Sequence, residues 1–197
     1  MNTQDNPPSH EESLSIITSM IDQARRQITD NGFHFLLWGW LTMIACAGHY
    51  VMARWTEVAH PYAVWLLMIP GIIISMIYGI RQGKSAHVRT YTDRSMLWVW
   101  VAVSVSIIIL QVFIHKYNYQ IVPILLLLIG NATFVSGWLL RFKLLVWGGI
   151  FFWIGAILAF LTNTQYEQIG IMAVCINTGY LFPGYMLRAR YKNQKNS

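Results

Sequence analysis

Three histidines and one glutamate are the residues of this sequence whose types are best suited to hold a metal ion. In a chain that crosses a membrane six times from the cytoplasm, His49, His60, His115 and Glu57 all fall on the outer side. Three imidazoles and a carboxylate are ligands that Zn²⁺ or Cu²⁺ accepts, but their spacing here matches no close-set metal motif. The alternatives are histidines that bond to water or lipid headgroups, or that sense protonation. We therefore predict no resident metal or cofactor, with these four residues as the candidates for one.

Hydroxyl and carboxamide side chains deep in two apolar stretches form a second candidate site. They are Asn131 and Thr133 in the fourth stretch and Asn177 and Thr178 in the sixth. In lipid, such groups bond to neighbouring helices, and each bond contributes about 0.6 to 2 kcal/mol. Helix-to-helix bonding is the simpler interpretation. The alternative is a polar cavity between these two stretches, where the Pro-Gly pair at 183–184 would free backbone groups to face a ligand.

The eight acidic residues all avoid the interior of the long apolar stretches. Buried ionisable residues mark proton relays and ion-coupled sites in membranes, so a carboxylate-driven pump or antiporter is disfavoured. The sequence also lacks a carboxylate pair for hydrolysis, a Ser-His-Asp constellation and a phosphate-binding loop. We predict that the chain is not an enzyme.

The elements that would position these residues are long apolar helices. The sequence is 55% hydrophobic and only 11% charged, a balance that a water-soluble domain could hardly cover with polar surface. A membrane-spanning helix needs about 20 mostly apolar residues. Six stretches qualify, approximately at Phe33–Ala53, Tyr62–Ile80, Met96–Ile114, Ile121–Leu140, Leu144–Leu161 and Ile169–Leu187. The predicted fold class is all-α, a polytopic membrane bundle of six transmembrane helices.

The distribution of Lys and Arg predicts the orientation of these helices. With the N-terminus inside, 12 of the 14 basic residues fall in inner segments and only Arg54 and Lys116 fall in outer ones. Positively charged loops tend to stay on the cytoplasmic side. We therefore predict a multi-pass protein of the bacterial inner membrane with both termini in the cytoplasm. Nucleic-acid binding is not expected, because these charges flank apolar runs rather than a soluble face.

An amphipathic helix is predicted ahead of the first span. Ser9 and Glu12 have the spacing of a capping box. A seam of apolar residues follows at intervals of three and four, and Asp30-Asn31-Gly32 ends the helix. The seam consists of Leu14, Ile17, Ile21, Ala24 and Ile28. Three parts result: a cytoplasmic segment at 1–32, the transmembrane domain at 33–187 and a basic tail at 188–197. The seam either docks onto a partner or second copy, or lies on the bundle or the membrane surface.

Three runs of sequence carry a resemblance to a known group of proteins. They are Asp30-Asn-Gly-Phe-His-Phe-Leu-Leu-Trp-Gly-Trp40, Tyr91-Thr-Asp93 and Pro183-Gly-Tyr-Met-Leu-Arg-Ala-Arg-Tyr-Lys192. They resemble runs in small multi-spanning inner-membrane proteins of Bacteroidota that have no assigned activity. The resemblance implies an inner-membrane location and no particular chemistry.

These observations favour a non-catalytic sensory or interaction module of unknown ligand. The apolar seam and the basic segment between Arg81 and Arg94 are the parts available to a cytoplasmic partner. Besides the lipid bilayer, the expected partners are therefore such a protein or a second copy of the chain. The alternative function is a small transporter or channel for an uncharged or weakly polar solute, using the fourth and sixth spans.

Overall fold

The computed structural model describes residues 32–55, 61–85, 91–116 and 120–195, together with Leu14. All the regular elements in these ranges are helical. They are α1 (Phe33–Trp55), a 3₁₀ segment (Pro61–Leu67) that runs into α2 (Met68–Ser85), α3 (Tyr91–Val112), a short 3₁₀ turn (Ile114–Lys116), α4 (Ile121–Leu139), α5 (Lys143–Leu161), α6 (Gln165–Ile176), a π-helical segment (Asn177–Leu181) and α7 (Phe182–Lys195).

The six predicted spans are confirmed as six helices that are long and apolar enough to cross a membrane. The sixth is continuous from α6 through the π segment into α7, and α7 extends into the predicted basic tail as far as Lys195. Of the predicted N-terminal seam, Leu14 is helical and exposed, whereas Ile17, Ile21, Ala24 and Ile28 lie outside the described residues.

Helices α4 and α5 make the most extensive contact of any two helices among the described residues. Glycines on one helix face the backbone of the other: a Cβ added to Gly149 would lie 2.8 Å from the Cα and N atoms of Phe134. The turn between them is a Schellman motif, in which the amides of Phe142 and Arg141 donate to the carbonyls of Gly137 and Trp138 at 2.9 and 3.1 Å. Arg141 takes the left-handed conformation, with φ 51°, that glycine usually occupies here. The short turn holds the two helices antiparallel and in close contact.

Helix α1 is joined to the last helix along its whole length. Gly32 precedes α1 with φ 69°, and a Cβ there would lie 2.6 Å from the carbonyl oxygen of Gly184. Above this point the indole of Trp40 donates to the Tyr185 hydroxyl, and at the far end the Tyr166 hydroxyl donates to the Ala53 carbonyl. Helix α5 also contacts the sixth helix, through α6, the π segment and α7.

The six apolar helices are packed very unequally. In α1, α4, α5 and the sixth helix, 39 to 50% of the residues in the apolar window are buried, whereas in α2 and α3 only 6% are. Helix α2 and its 3₁₀ segment contact α1, and α3 contacts α4. The structure is therefore a compact core of four helices with two mostly exposed helices at its edges.

Candidate functional site

The π segment is a break in the regular hydrogen bonding of the sixth helix. The amide of Phe182 donates to the carbonyl of Asn177, five residues earlier. Pro183 has no N–H, so it cannot donate to the carbonyls of Thr178 or Gly179. The Thr178 hydroxyl, inside the segment, shares its proton between the carbonyls of Val174 and Cys175 on the preceding turn, at 3.0 and 3.2 Å. Single π turns of this kind are frequent at functional sites, which makes this segment the candidate site.

Tyr180 is the buried centre of this segment. Its ring makes edge-to-face contacts with Phe35 of α1 and Phe152 of α5, at centroid distances of 5.6 and 5.2 Å. Trp100 of α3 lies at 6.4 Å, and the hydroxyl of Thr133 on α4 is 3.4 Å from the Tyr180 hydroxyl. The π segment thus brings one side chain into contact with four other helices. We call these five residues the Tyr180 hub.

Backbone contact between the π segment and α5 holds the hub together. A Cβ added to Gly148 would lie 2.9 Å from the carbonyl oxygen of Gly179, to which Pro183 cannot donate a hydrogen bond. A Cβ on Gly179 would collide with the ring of Phe152. The two glycines therefore let the π segment and α5 approach until the Gly179 carbonyl lies against the α5 backbone.

A buried hydroxyl lies one turn below Thr133 on the same face of α4. Ser136 is completely buried, and its Oγ has no hydrogen-bond partner among the described residues. An unpaired hydroxyl in an apolar interior costs about 1 to 3 kcal/mol. The fold therefore either tolerates this cost or uses the Ser136 hydroxyl to bind another polar group.

The four residues of the predicted polar cavity lie in different places. Thr133 is fully buried in the hub. Asn131, two residues away, lies on another face of α4 and accepts a hydrogen bond from Trp153 of α5 at 2.9 Å. Asn177 and Thr178 are exposed at the start of the π segment. The structure brings Thr133 to the sixth helix, as the cavity hypothesis requires, and leaves the other three at exposed positions.

The predicted metal candidates are only partly described. His49 is buried in α1, and its Nδ1 accepts a hydrogen bond from the indole of Trp65 at 3.0 Å, so that nitrogen has a protein partner. His60, Glu57 and the side chain of His115 lie outside the described residues. Within the described part of the chain, no three His, Cys, Asp or Glu side chains cluster as a metal site would need.

A polar pair at the other end of the core was not predicted from the sequence. Gln168 of α6 is buried, and its Nε2 donates to the Gln120 side chain at 3.0 Å and to the Ala159 carbonyl at 3.2 Å. Its Oε1 has no partner among the described residues. Both glutamines lie at the ends of predicted spans, where a polar side chain is expected to contact water. Only the structure shows that the two side chains bond to each other.

The hub consists of four aromatic side chains and one threonine, contributed by five helical segments. Its polar side-chain atoms are the hydroxyls of Tyr180 and Thr133 and the indole nitrogen of Trp100, and Tyr180 is buried with the rings of Phe35 and Phe152 in edge contact. Aromatic rings in edge contact resist displacement, since each pair contributes about 0.5 to 1.5 kcal/mol beyond its buried area. A shift of any one of these helices at this level would therefore change the packing around Tyr180.

Comparison with protein-family models, with curated proteins and with solved structures finds no match to this chain.

Proposed function

We propose that this chain is a multi-pass integral membrane protein of the bacterial inner membrane that serves as a non-catalytic sensory or interaction module. The observation that carries the proposal is the unequal packing of the six apolar helices, with 6% of the α2 and α3 windows buried against 39 to 50% in the others. A compact core provides a fixed frame. Loosely attached helices are the parts that can shift or accept a partner at low cost.

The basic segment between α2 and α3 supports a cytoplasmic partner. Arg81, Lys84, Arg89 and Arg94 lie at or between the ends of the two loosely packed helices. The positive-inside rule puts this segment in the cytoplasm, together with the N-terminal apolar seam and the C-terminal tail. A protein that binds the segment would therefore act directly on α2 and α3.

The Tyr180 hub gives such an action a route into the core. Trp100 of α3 reaches Tyr180 at a centroid distance of 6.4 Å, although most of α3 is exposed. Movement of α3 away from α4 would remove this contact and leave Tyr180 to repack against Phe35 and Phe152. The proposed module thus has a movable input, α2 with α3, and a buried element whose packing depends on it.

The experiment is an affinity purification in mild detergent from the native membranes, with identification of co-purifying proteins by mass spectrometry. We compare the full chain, a chain lacking residues 1–30, and a variant with Lys84→Ser and Arg89→Ser. The matched control neutralises the inner turn of the rigid hairpin, with Arg141→Asn and Lys143→Ser. A protein retained by the full chain and by the control, but lost from either of the other two variants, supports the module. Identical profiles from all four proteins contradict it.

A transporter or channel for an uncharged or weakly polar solute is the second candidate. It is favoured by the buried hydroxyl of Ser136, which has no hydrogen-bond partner among the described residues and could meet a polar solute. Ser136→Ala tests it, with Asn131→Leu and Asn177→Leu as changes at exposed positions. Loss of uptake of a solute from Ser136→Ala alone, with folding intact, would establish transport and rule out the module, whereas unchanged uptake by Ser136→Ala contradicts a pathway past this hydroxyl.

A further inference from the structure

Asn131 is an exposed carboxamide near the middle of an apolar helix. It lies in α4 (Ile121–Leu139), at least eight residues from either end, and its neighbours one turn away, Leu127 and Val135, are exposed and apolar. At a rise of about 1.5 Å per residue, the side chain is about 12 Å or more from both helix ends. In a membrane-spanning α4 this position faces acyl chains, which offer a carboxamide no hydrogen-bond partner.

The indole of Trp153 fixes the orientation of this carboxamide. Its Nε1–H can only donate, so the atom that it meets at 2.9 Å must be the oxygen of Asn131 and not the nitrogen. The ring itself is held in place, since it lies against Gly130 and is tilted over Phe134 at a centroid distance of 5.0 Å. The amide nitrogen, with its two protons, takes part in no hydrogen bond among the described residues.

Only one side of α4 is exposed and therefore available to a partner outside the chain. Its opposite face is occupied within the chain: Ala132, Thr133, Ser136 and Gly137 are all buried. Leu127, Asn131 and Val135 recur every four residues and so form a continuous exposed seam on the other side. A helix that packs along this seam would meet the two unused protons of Asn131 at its centre.

We propose that this seam is the contact between two copies of the chain, paired about a two-fold axis that passes beside Asn131. The carboxamide is self-complementary: each Nδ2–H donates to the Oδ1 of the partner, while the second lone pair of each Oδ1 keeps the bond from Trp153. Lipid does not satisfy the group at this depth, because ester carbonyls and phosphates lie at the membrane surface. A second copy supplies both a donor and an acceptor at the same level, and this interface is independent of the proposed cytoplasmic partner.

Disulfide trapping in native-composition vesicles tests the geometry. Val135→Cys puts a thiol one turn from Asn131 on the seam, and Ile108→Cys puts one on the exposed surface of α3 as the matched control. The natural cysteines Cys46 and Cys175 are buried and can remain. We expect a covalent dimer from Val135→Cys under mild oxidation and none from Ile108→Cys or the unmodified chain.

A second measurement addresses the carboxamide itself. Fluorescence transfer between labelled full-length chains in vesicles, followed over a range of protein-to-lipid ratios, gives the dimer dissociation constant. Asn131→Leu should raise that constant about tenfold, the effect of losing two reciprocal bonds in lipid. Gln111→Leu, which removes an exposed carboxamide next to the end of α3 rather than from the middle of a span, should leave it unchanged.

Three outcomes would overturn the proposal. One is a monomer at every protein-to-lipid ratio, and another is a dimer that Asn131→Leu does not weaken. The third is trapping through Ile108→Cys in preference to Val135→Cys, which would place the contact on α3. If Asn131→Leu fails to fold, the trapping pattern of the two cysteine variants still decides the matter.

Discussion

The hydroxyl of Thr133 lies 3.4 Å from the hydroxyl of Tyr180 and 2.7 Å from the carbonyl oxygen of Ile129, one turn back on its own helix. Thr133 has a single proton to donate, and the closer carbonyl is the better acceptor. The Tyr180 proton is then directed at the Thr133 oxygen, so the pair joins the π segment to α4 through two consecutive bonds. The Thr133–Tyr180 bond is the only hydrogen bond between side chains of the hub among the described residues.

Replacing Tyr180 with Phe should therefore have a small, defined cost. The ring contacts remain, and Thr133 keeps its bond to Ile129, so the free energy of unfolding should fall by about 0.5 to 1.5 kcal/mol. The measurement is reversible unfolding in mixed detergent micelles. Tyr185→Phe is the control, because that hydroxyl is exposed and its loss should cost less. Equal effects of the two substitutions would contradict the assigned role of the Thr133 contact.

The aromatic contacts of the hub predict a much larger difference between two neighbouring phenylalanines. Phe152 is fully buried against Tyr180 and Gly179, whereas Phe151, the next residue in α5, is about half exposed. Phe152→Ala should lower the unfolding free energy by about 3 kcal/mol, because it opens a cavity that the rigid glycine contact cannot close. Phe151→Ala should lower it by less than about 1 kcal/mol, since lipid or detergent fills the space. The same unfolding assay compares them, and similar losses would mean that the hub is not tightly packed.

The sequence predicted the helices well and their packing poorly, for a physical reason. Length and hydropathy are enough to locate a span, and the bounds agree within a few residues at nearly every end. In a membrane, however, the lipid-facing side and the core side of a helix are both apolar. The pattern of a span such as Ile72 to Ile80 therefore carries no signal of how much of it is buried. The exposure of most of α2 and α3 is visible only in the folded structure.

The π segment and its hub were also beyond the reach of the sequence. A one-residue change in hydrogen bonding leaves hydropathy unaltered, and only the Pro-Gly pair at 183–184 hinted at an irregular backbone. The four-residue spacing of the small residues Ala132 and Ser136 permits close helix contacts, but spacing alone does not decide between contacts inside the chain and contacts between chains. Both are buried within the chain, so they serve its own core.

The close approach of α4 and α5 predicts opposite effects at two glycines. A Cβ at Gly149 would press on the backbone of Phe134, which cannot rotate away, whereas a Cβ at Gly170 would meet no atom within 4 Å. Gly149→Ala should reduce the unfolding free energy by about 1 to 3 kcal/mol by forcing the helices apart. Gly170→Ala should leave it unchanged or raise it by up to about 1 kcal/mol, because alanine is the better helix former. Thermal melts of both variants in detergent check the signs, and a destabilising Gly170→Ala would show that this face is covered.

Two buried hydroxyls on one face of α4 should respond to removal in opposite directions. Thr133 has partners in Ile129 and Tyr180, so Thr133→Val should lower the unfolding free energy by about 0.5 to 1.5 kcal/mol. Ser136 has no partner for its Oγ among the described residues, so Ser136→Ala removes an uncompensated polar atom and should raise the unfolding free energy by about 1 kcal/mol. Both changes are nearly isosteric, which keeps cavity terms small. If Ser136→Ala instead destabilises the protein, the hydroxyl is satisfied in the membrane by a bound polar molecule, and that result would favour the transporter over the module.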